Sequence, residues 1–166
     1  MTAHTTRPGC WELLAEELMT ENPHSIREDA TVEDAIAFLT DKGYRAAPVI
    51  DESGRPVGVI SQSDILIHDR EGCGGGLHDF YSMGNLDFEN RSREETRDVR
   101  VRDLMTPVVF QVPPDAPFSR VLEEMVTLNV HRLFVVSDDG ILIGVITALD
   151  VLRRLYEEAR REAITT

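Results

Sequence analysis

The chain has 166 residues, 42% of them hydrophobic and 28% charged, and a formal charge of −13 from 17 basic and 30 acidic side chains. That length makes one domain, or two small halves sharing a core, and that charge argues against a binder of nucleic-acid phosphates, which needs a dense Lys/Arg surface. No apolar run nears the roughly 20 residues of a membrane helix, and MTAHTTRPGCWELLAEEL has no apolar signal core, so a cytoplasmic location without a membrane or nucleic-acid partner is expected.

In chain order, residues 11–18, WELLAEEL, predict one short amphipathic helix ending near Met19-Thr20, and Pro23 to Ile26 an extended piece. Thr31 is a good N-cap for a helix whose Val32, Ala35, Ile36 and Leu39 fall at helical spacing, and Gly43 is a good stop. Ala46–Ile50 and Pro56–Ile60, joined by DESGR with Gly54, predict a hairpin. Ser61 then opens a helix through Asp64, Ile65 and Leu66. Residues 67–98 are longer than an ordinary loop. Phe80, Tyr81, Met83, Leu86 and Phe88 in that insert are expected to pack against the body. Beyond it come a helix at Val101–Leu104, an extended segment at Val108–Val112, a break at Pro113-Pro114 and a helix from Phe118 to Leu128. Strands at Leu133–Val136 and Ile141–Ile146 flank SDDG, and a last helix runs from Thr147 to near Ala163.

One pattern is written twice. GVISQSD at 58–64 returns as GVITALD at 144–150, an offset of 86 residues. The same offset carries Leu18-Met19-Thr20 onto Leu104-Met105-Thr106 and Gly54 onto Gly140, and from 15–66 to 101–152 it holds without a gap, with twelve identical pairs. A constant offset over that length means two copies of one supersecondary unit, here strand–helix–strand–strand–helix. Each copy is too small to be stable alone. The halves are therefore expected to be obligate partners about a pseudo-twofold, which makes clefts in pairs. The division is 1–14 as N-terminal segment and helix, 15–66 and 101–152 as the copies, 67–100 as the insert, and 153–166 as a C-terminal helix extension.

The repeated Gly-x-x-Ser/Thr-x-x-Asp ends a strand and begins a helix. First-turn N–H groups lack intrahelical partners and form an anion site. Ser61 and Thr147 add a hydroxyl, and Asp64 and Asp150 can accept the hydroxyls of a ribose. Gly58 and Gly144 let a ligand or another backbone approach closely. The set suits a phosphorylated nucleoside. The competing reading is a capping box that satisfies the backbone and binds nothing.

Other chemistry has thinner support. Cys10 and Cys73 form no Cys-x-x-Cys, which fits a reduced compartment or, alternatively, a redox-sensing pair. His68-Asp69, Cys73 and His78-Asp79 are ligand types, but their spacing fits no zinc pattern, and a polar loop is the simpler reading. There is no Gly-x-Ser-x-Gly elbow, and Glu16-Glu17 and Glu123-Glu124 fall on solvated helix faces. No catalytic residue and no bound metal are expected.

NVHRLFVVSDDG at 129–140 and GYRAAPVIDESG at 43–54 complete the set. With the Leu-Met-Thr before each copy, the apolar helix and the Gly-x-x-Ser/Thr-x-x-Asp ending, the chain resembles a tandem pair of CBS domains (named for cystathionine β-synthase), a Bateman module. The resemblance implies an α/β (α+β) fold of two β-α-β-β-α units whose two clefts accept adenine nucleotides, as regulatory ligand rather than prosthetic group. It puts Ser61 and Asp64 in one cleft and Thr147 and Asp150 in the other, on phosphate and ribose. His131-Arg132 match the family's phosphate-reaching pair and are assigned to the cleft of Ser61 and Asp64. Arg45, equivalent to His131, is the weaker counterpart for the other cleft. Adenine is expected against Asn22–Ile26, Ala47-Pro48, Val108–Phe110 and Ile60 or Ile146. Two departures, Arg45-Ala46 for His-Arg and Phe134 for the usual Pro, predict unequal clefts.

The function so implied is a stand-alone module sensing AMP, ADP, ATP or a related adenosyl ligand and acting on a partner or on its own oligomer. A homodimer is expected through Leu149, Val151, Leu152 and Leu155 near the C-terminus and Trp11, Leu14 and Leu18 near the N-terminus. A ligand-free docking scaffold and a metal or redox switch in the insert stay open as alternatives.

Overall fold

The structure, a computed structural model, describes residues 9–72 and 99–165. The elements in order are a 3-10 turn at Cys10–Glu12, α1 (Ala15–Leu18), β1 (Thr20–Glu21), β2 (Ile26–Arg27), α2 (Val32–Lys42), β3 (Ala46–Ile50), β4 (Pro56–Ser61) and α3 (Gln62–Gly72). Then follow α4 (Val101–Leu104), β5 (Gln111–Val112), α5 (Phe118–Thr127), β6 (Arg132–Val136), β7 (Leu142–Thr147) and α6 (Ala148–Thr165). The expectations for Cys73, His78-Asp79, Phe80, Tyr81, Met83, Leu86 and Phe88 lie outside the described residues.

Local chemistry accounts for the two mid-copy helices. The Thr31 hydroxyl accepts from the Asp34 N–H at 3.1 Å, and the Asp34 carboxylate accepts from the Thr31 N–H at 3.2 Å, a complete capping box on α2. Gly43 ends α2 at φ 65°, where its own N–H reaches the last carbonyls and the Tyr44 N–H reaches the Leu39 carbonyl at 2.9 Å. Helix α2 buries Val32, Ala35 and Leu39, and α5 buries Phe118, Val121 and Met125, each at helical spacing.

The described residues form two bodies, one made of those up to Pro23 together with those from Phe110 on, the other of those between His24 and Val109. In the first body the sheet order is β1-β7-β6-β5, with β5 parallel to β6 and the other pairs antiparallel. Its core gathers Ala15, Leu18, Val112, Phe118, Val121, Leu133, Val135 and Ile146. In the second the order is β2-β3-β4, with β2 parallel to β3 and β3 antiparallel to β4. Its core gathers Ile26, Val32, Leu39, Val49, Ile60, Ile65 and Val101. Both hairpins slip register at equivalent places, Val49/Ile50 and Val135/Val136.

Each body borrows the opening segment of the other copy. In the first, the Ala15 N–H donates to the Ala116 carbonyl at 2.8 Å and Thr20 pairs with Val145. In the second, the Val101 N–H donates to the Ala30 carbonyl at 2.9 Å, and Thr106 and Val59 exchange both backbone bonds, at 2.9 and 3.0 Å. The methionines of the repeated Leu-Met-Thr lie on the repeated glycines. A methyl added to Gly58 would lie 2.8 Å from Met105 Sδ and 2.7 Å from the Thr106 carbonyl oxygen, and one added to Gly144 would fall on the Met19 sulfur. The close approach expected at these glycines is made by protein.

Several boundaries differ from the sequence expectation. Residues 11–18 do not form one helix. Leu14 is extended and bridges Pro117, so the segment splits into the 3-10 turn and α1, because its backbone groups pair with residues 114–118. Helix α3 continues to Gly72 and α6 to Thr165. Of the segment 108–112 only Gln111–Val112 is strand, and Val108 is exposed.

Candidate functional site

The two strand-to-helix junctions are built alike. At the first, Asp64 Oδ2 accepts from the Ser61 N–H at 2.8 Å and from the Ser61 hydroxyl at 2.6 Å, and Ser61 Oγ accepts from the Asp64 N–H at 3.3 Å. At the second, Asp150 Oδ2 accepts from the Thr147 N–H at 2.9 Å and from its hydroxyl at 2.6 Å, and Thr147 Oγ1 accepts from the Asp150 N–H at 3.3 Å. The next amides are also engaged. The Gln62 N–H donates to the Arg45 carbonyl, and the Ala148 N–H to the His131 carbonyl, both at 3.0 Å.

The expectation of outward, unpartnered first-turn amides is therefore corrected at Ser61, Gln62 and Asp64, and at Thr147, Ala148 and Asp150. The capping box and the preceding strand's carbonyl take up those donors. Each cap uses a single carboxylate oxygen. Among the described residues no hydrogen bond falls on Oδ1 of Asp64 or Asp150. The Asp150 Oδ1 lies 3.7 Å from a guanidinium nitrogen of Arg153, and the Asp150 side chain is 20% exposed. Arg153 is a neighbour that the sequence reading missed, although its position three residues after Asp150 on a helix signals it.

The strands bring the cationic candidates to these junctions. Arg132 opens β6 directly opposite Thr147, and Ala46 stands opposite Ser61 in the equivalent register. Arg132 is half-buried, and among the described residues it has no ion-pair partner. Burial pushes its guanidinium below the ordinary arginine value, yet such a group stays charged at neutral pH. A partly desolvated cation with no ion-pair partner among the described residues is a group that an anion would stabilise. His131 and Arg45 are exposed, each one residue before its strand.

The apolar candidates fall into two groups. Ile26, Ile60 and Ile146 belong to the cores, and Pro48 is buried on β3. Phe110 is partly buried against the first core, and its carbonyl accepts from the N–H of Phe134, which is buried. Asn22 has φ 47°, and its N–H donates to the Ile143 carbonyl at 2.9 Å. No group of three or more His, Cys, Asp or Glu able to hold a metal ion occurs among the described residues. No described helix is long and apolar enough to cross a membrane.

Known proteins share this arrangement. The CBS domain signature matches residues 15–71 and 101–157. An uncharacterised protein of Methanocaldococcus jannaschii is 29% identical over 154 residues, covering 86% of this chain and 91% of that protein. The CBS domain-containing protein CBSX2, chloroplastic, of Arabidopsis thaliana is 28% identical over 153 residues, covering 88% of this chain. This chain spans 64% of that protein's length and 28% of a second uncharacterised M. jannaschii relative. The crystal structure of CBSX2 in complex with AMP superposes with a TM-score of 0.64 at 28% identity, over 87% of this chain and 96% of that one. With its signature matched twice over more than half its length and its fold shared, the chain belongs to the CBS domain family and carries the domain as a tandem pair.

Proposed function

We propose that the chain is a regulatory module that binds an adenine nucleotide at its strand-to-helix junctions, without catalysing a reaction, and passes the binding to a partner or to its own oligomer. The observation that carries this is Arg132, partly buried, facing Thr147 and lacking a carboxylate partner among the described residues. Arg132, with His131 beside it, supplies charge for phosphate. Because the caps leave Oδ1 of Asp64 and Asp150 without a hydrogen bond, each acid still has an acceptor for a ribose hydroxyl. Arg45, one residue before β3, is the weaker counterpart. Phe110, only partly buried, supplies an apolar wall for a base, whereas Ile26, Ile60 and Ile146 are enclosed in the cores and Pro48 is buried, which corrects their expected contact with adenine. The relative solved with AMP supports the class of ligand. A ligand that binds one conformation better shifts the balance by that difference in affinity and no more.

Titration calorimetry with AMP, ADP, ATP and S-adenosylmethionine tests the reading. Arg132→Ala should weaken the preferred adenylate about 10- to 100-fold, the worth of one charged hydrogen bond. Asp150→Asn keeps an acceptor for the Thr147 cap but places a donor where the ribose needs an acceptor, so it should weaken binding without unfolding α6. Coupling Arg132→Ala with Asp64→Asn and then with Asp150→Asn assigns the cation, since the pair that shares a ligand is non-additive. Absence of heat with every one of these ligands would overturn the proposal.

The closed capping boxes favour a second reading, a ligand-free scaffold, in which Asp150→Asn behaves as the parent does. Under either reading we propose a homodimer that covers the outer face of α6, where Leu149, Leu152 and Tyr156 are 55%, 59% and 64% exposed.

A further inference from the structure

The repeated Leu-Met-Thr is not used by the nucleotide reading, yet its methionine makes the same unusual contact in both bodies. Gly144 has no side chain, and the Met19 sulfur fills the place a Cβ would take, with Met19 Cγ and Cβ only 2.7 and 2.9 Å from that point. Gly58 is filled from the same side by Met105, whose Sδ and Cγ lie 2.8 and 3.3 Å from the equivalent point. Each methionine belongs to a segment contributed by the other copy, and each is followed at once by the backbone pairs that fasten it. Those are Thr20 with Val145 and the Asn22 N–H on the Ile143 carbonyl in one body, and Thr106 with Val59 in the other. Both methionines are partly exposed, although packed against the cores.

We propose that Met19 and Met105 are paired oxidation sites, and that converting either thioether to its sulfoxide releases the exchanged segment from the strand it clamps. The oxidant is a peroxide. A sulfur lone pair attacks one oxygen of hydrogen peroxide, an S–O bond forms as the O–O bond breaks, and the transferred hydroxyl gives its proton to the departing hydroxide, so the thioether loses two electrons and one water leaves. A thioether is apolar and polarisable and fits against a bare backbone, whereas a sulfoxide is larger and strongly polar. On the glycine side the added oxygen has no volume to enter. On the other side the added oxygen draws water toward a thioether that packs against the core. The exchanged segments are anchored at Ala15 and Val101 but end in two-residue or single-bridge pairings, so it is this far end that comes free once the sulfur leaves. The proposal is independent of any nucleotide.

The test exposes the full-length chain to hydrogen peroxide, maps sulfoxides by peptide mass spectrometry, and reads amide hydrogen exchange at Asn22, Val59 and Thr106. Sulfoxide should form at Met19 and Met105 before the buried Met125. Exchange should rise roughly tenfold or more at Asn22 with the first and at Val59 and Thr106 with the second. Methionine sulfoxide reductase should restore the slow rates. Met19→Leu should abolish the response at Asn22 and leave that at Thr106, with the reverse for Met105→Leu, so each variant carries its own folded control. Complete oxidation at both sulfurs with unchanged exchange would overturn the proposal. So would oxidation of Met125 while Met19 and Met105 stay reduced.

Discussion

Gly43 and Gly144 are both glycines for physical reasons, but the reasons differ. Gly43 sits at φ 65° with nothing within 4 Å of where a Cβ would be, so its constraint is backbone strain alone. Gly43→Ala should lower stability by about 1 kcal/mol, the cost of a left-handed residue with a side chain. Gly144→Ala meets the Met19 sulfur instead and should cost about 1–3 kcal/mol as overpacking. Urea denaturation separates the two cases, because Met19→Ala should recover part of the Gly144→Ala loss and none of the Gly43→Ala loss. The sequence showed both glycines, together with Ser61, Asp64, Thr147 and Asp150 in their repeated spacing. It did not show that the junction amides are already engaged. Gln62 and Ala148 give their N–H groups to carbonyls 17 residues upstream, on Arg45 and His131, and spacing along one strand and helix cannot reveal a partner supplied by the neighbouring strand.

Elements with a long period were the legible ones. Helix α2 follows from apolar spacing, and its ends follow from Thr31 and Gly43. The N-terminal segment was misjudged because Leu13 and Leu14 fit a helical stripe, while their backbone groups serve Phe118 and Pro117. A tertiary pairing overrode a weak local preference, as it readily does in a helix of four residues. In α6 the stripe of Leu149, Leu152 and Tyr156 falls on one side, while Val151 is buried against the first core. That uncovered side sets an expectation for self-association. Leu152→Glu should convert a dimer to a monomer in sedimentation velocity, with circular dichroism unchanged, since the residue is exposed within the chain. A parent that sediments as a monomer at all concentrations would refute the dimer.

At the scale of the whole molecule, the offset of 86 residues made the duplication plain and left its wiring undetermined. Equivalence says that Leu14 and Arg100 occupy the same place in their copies. It does not say whether Leu14 pairs with Thr31 or with Pro117, because both choices preserve the repeat. The structure has Leu14 on Pro117 and Arg100 on Thr31. Cutting the chain anywhere between residues 72 and 99 therefore gives fragments that each lack a piece of their own body. One loses Val101–Thr106 and the other loses Ala15–Glu21. Fragments 1–72 and 99–166 should be poorly folded when expressed singly and should co-purify as a folded pair when expressed together, as circular dichroism and affinity capture of one tagged piece would report. Two singly folded fragments that ignore each other would contradict this wiring.

The loan of Val101 to the core beside Ala30 has a bearing on ancestry. A solitary precursor of one repeat would have faced a bare strand edge and an opening helix with nowhere to lie. Lending that helix to an identical chain, and accepting one in return, satisfies both needs at once. Gene fusion would then have turned a reciprocal exchange between two molecules into the internal one preserved here.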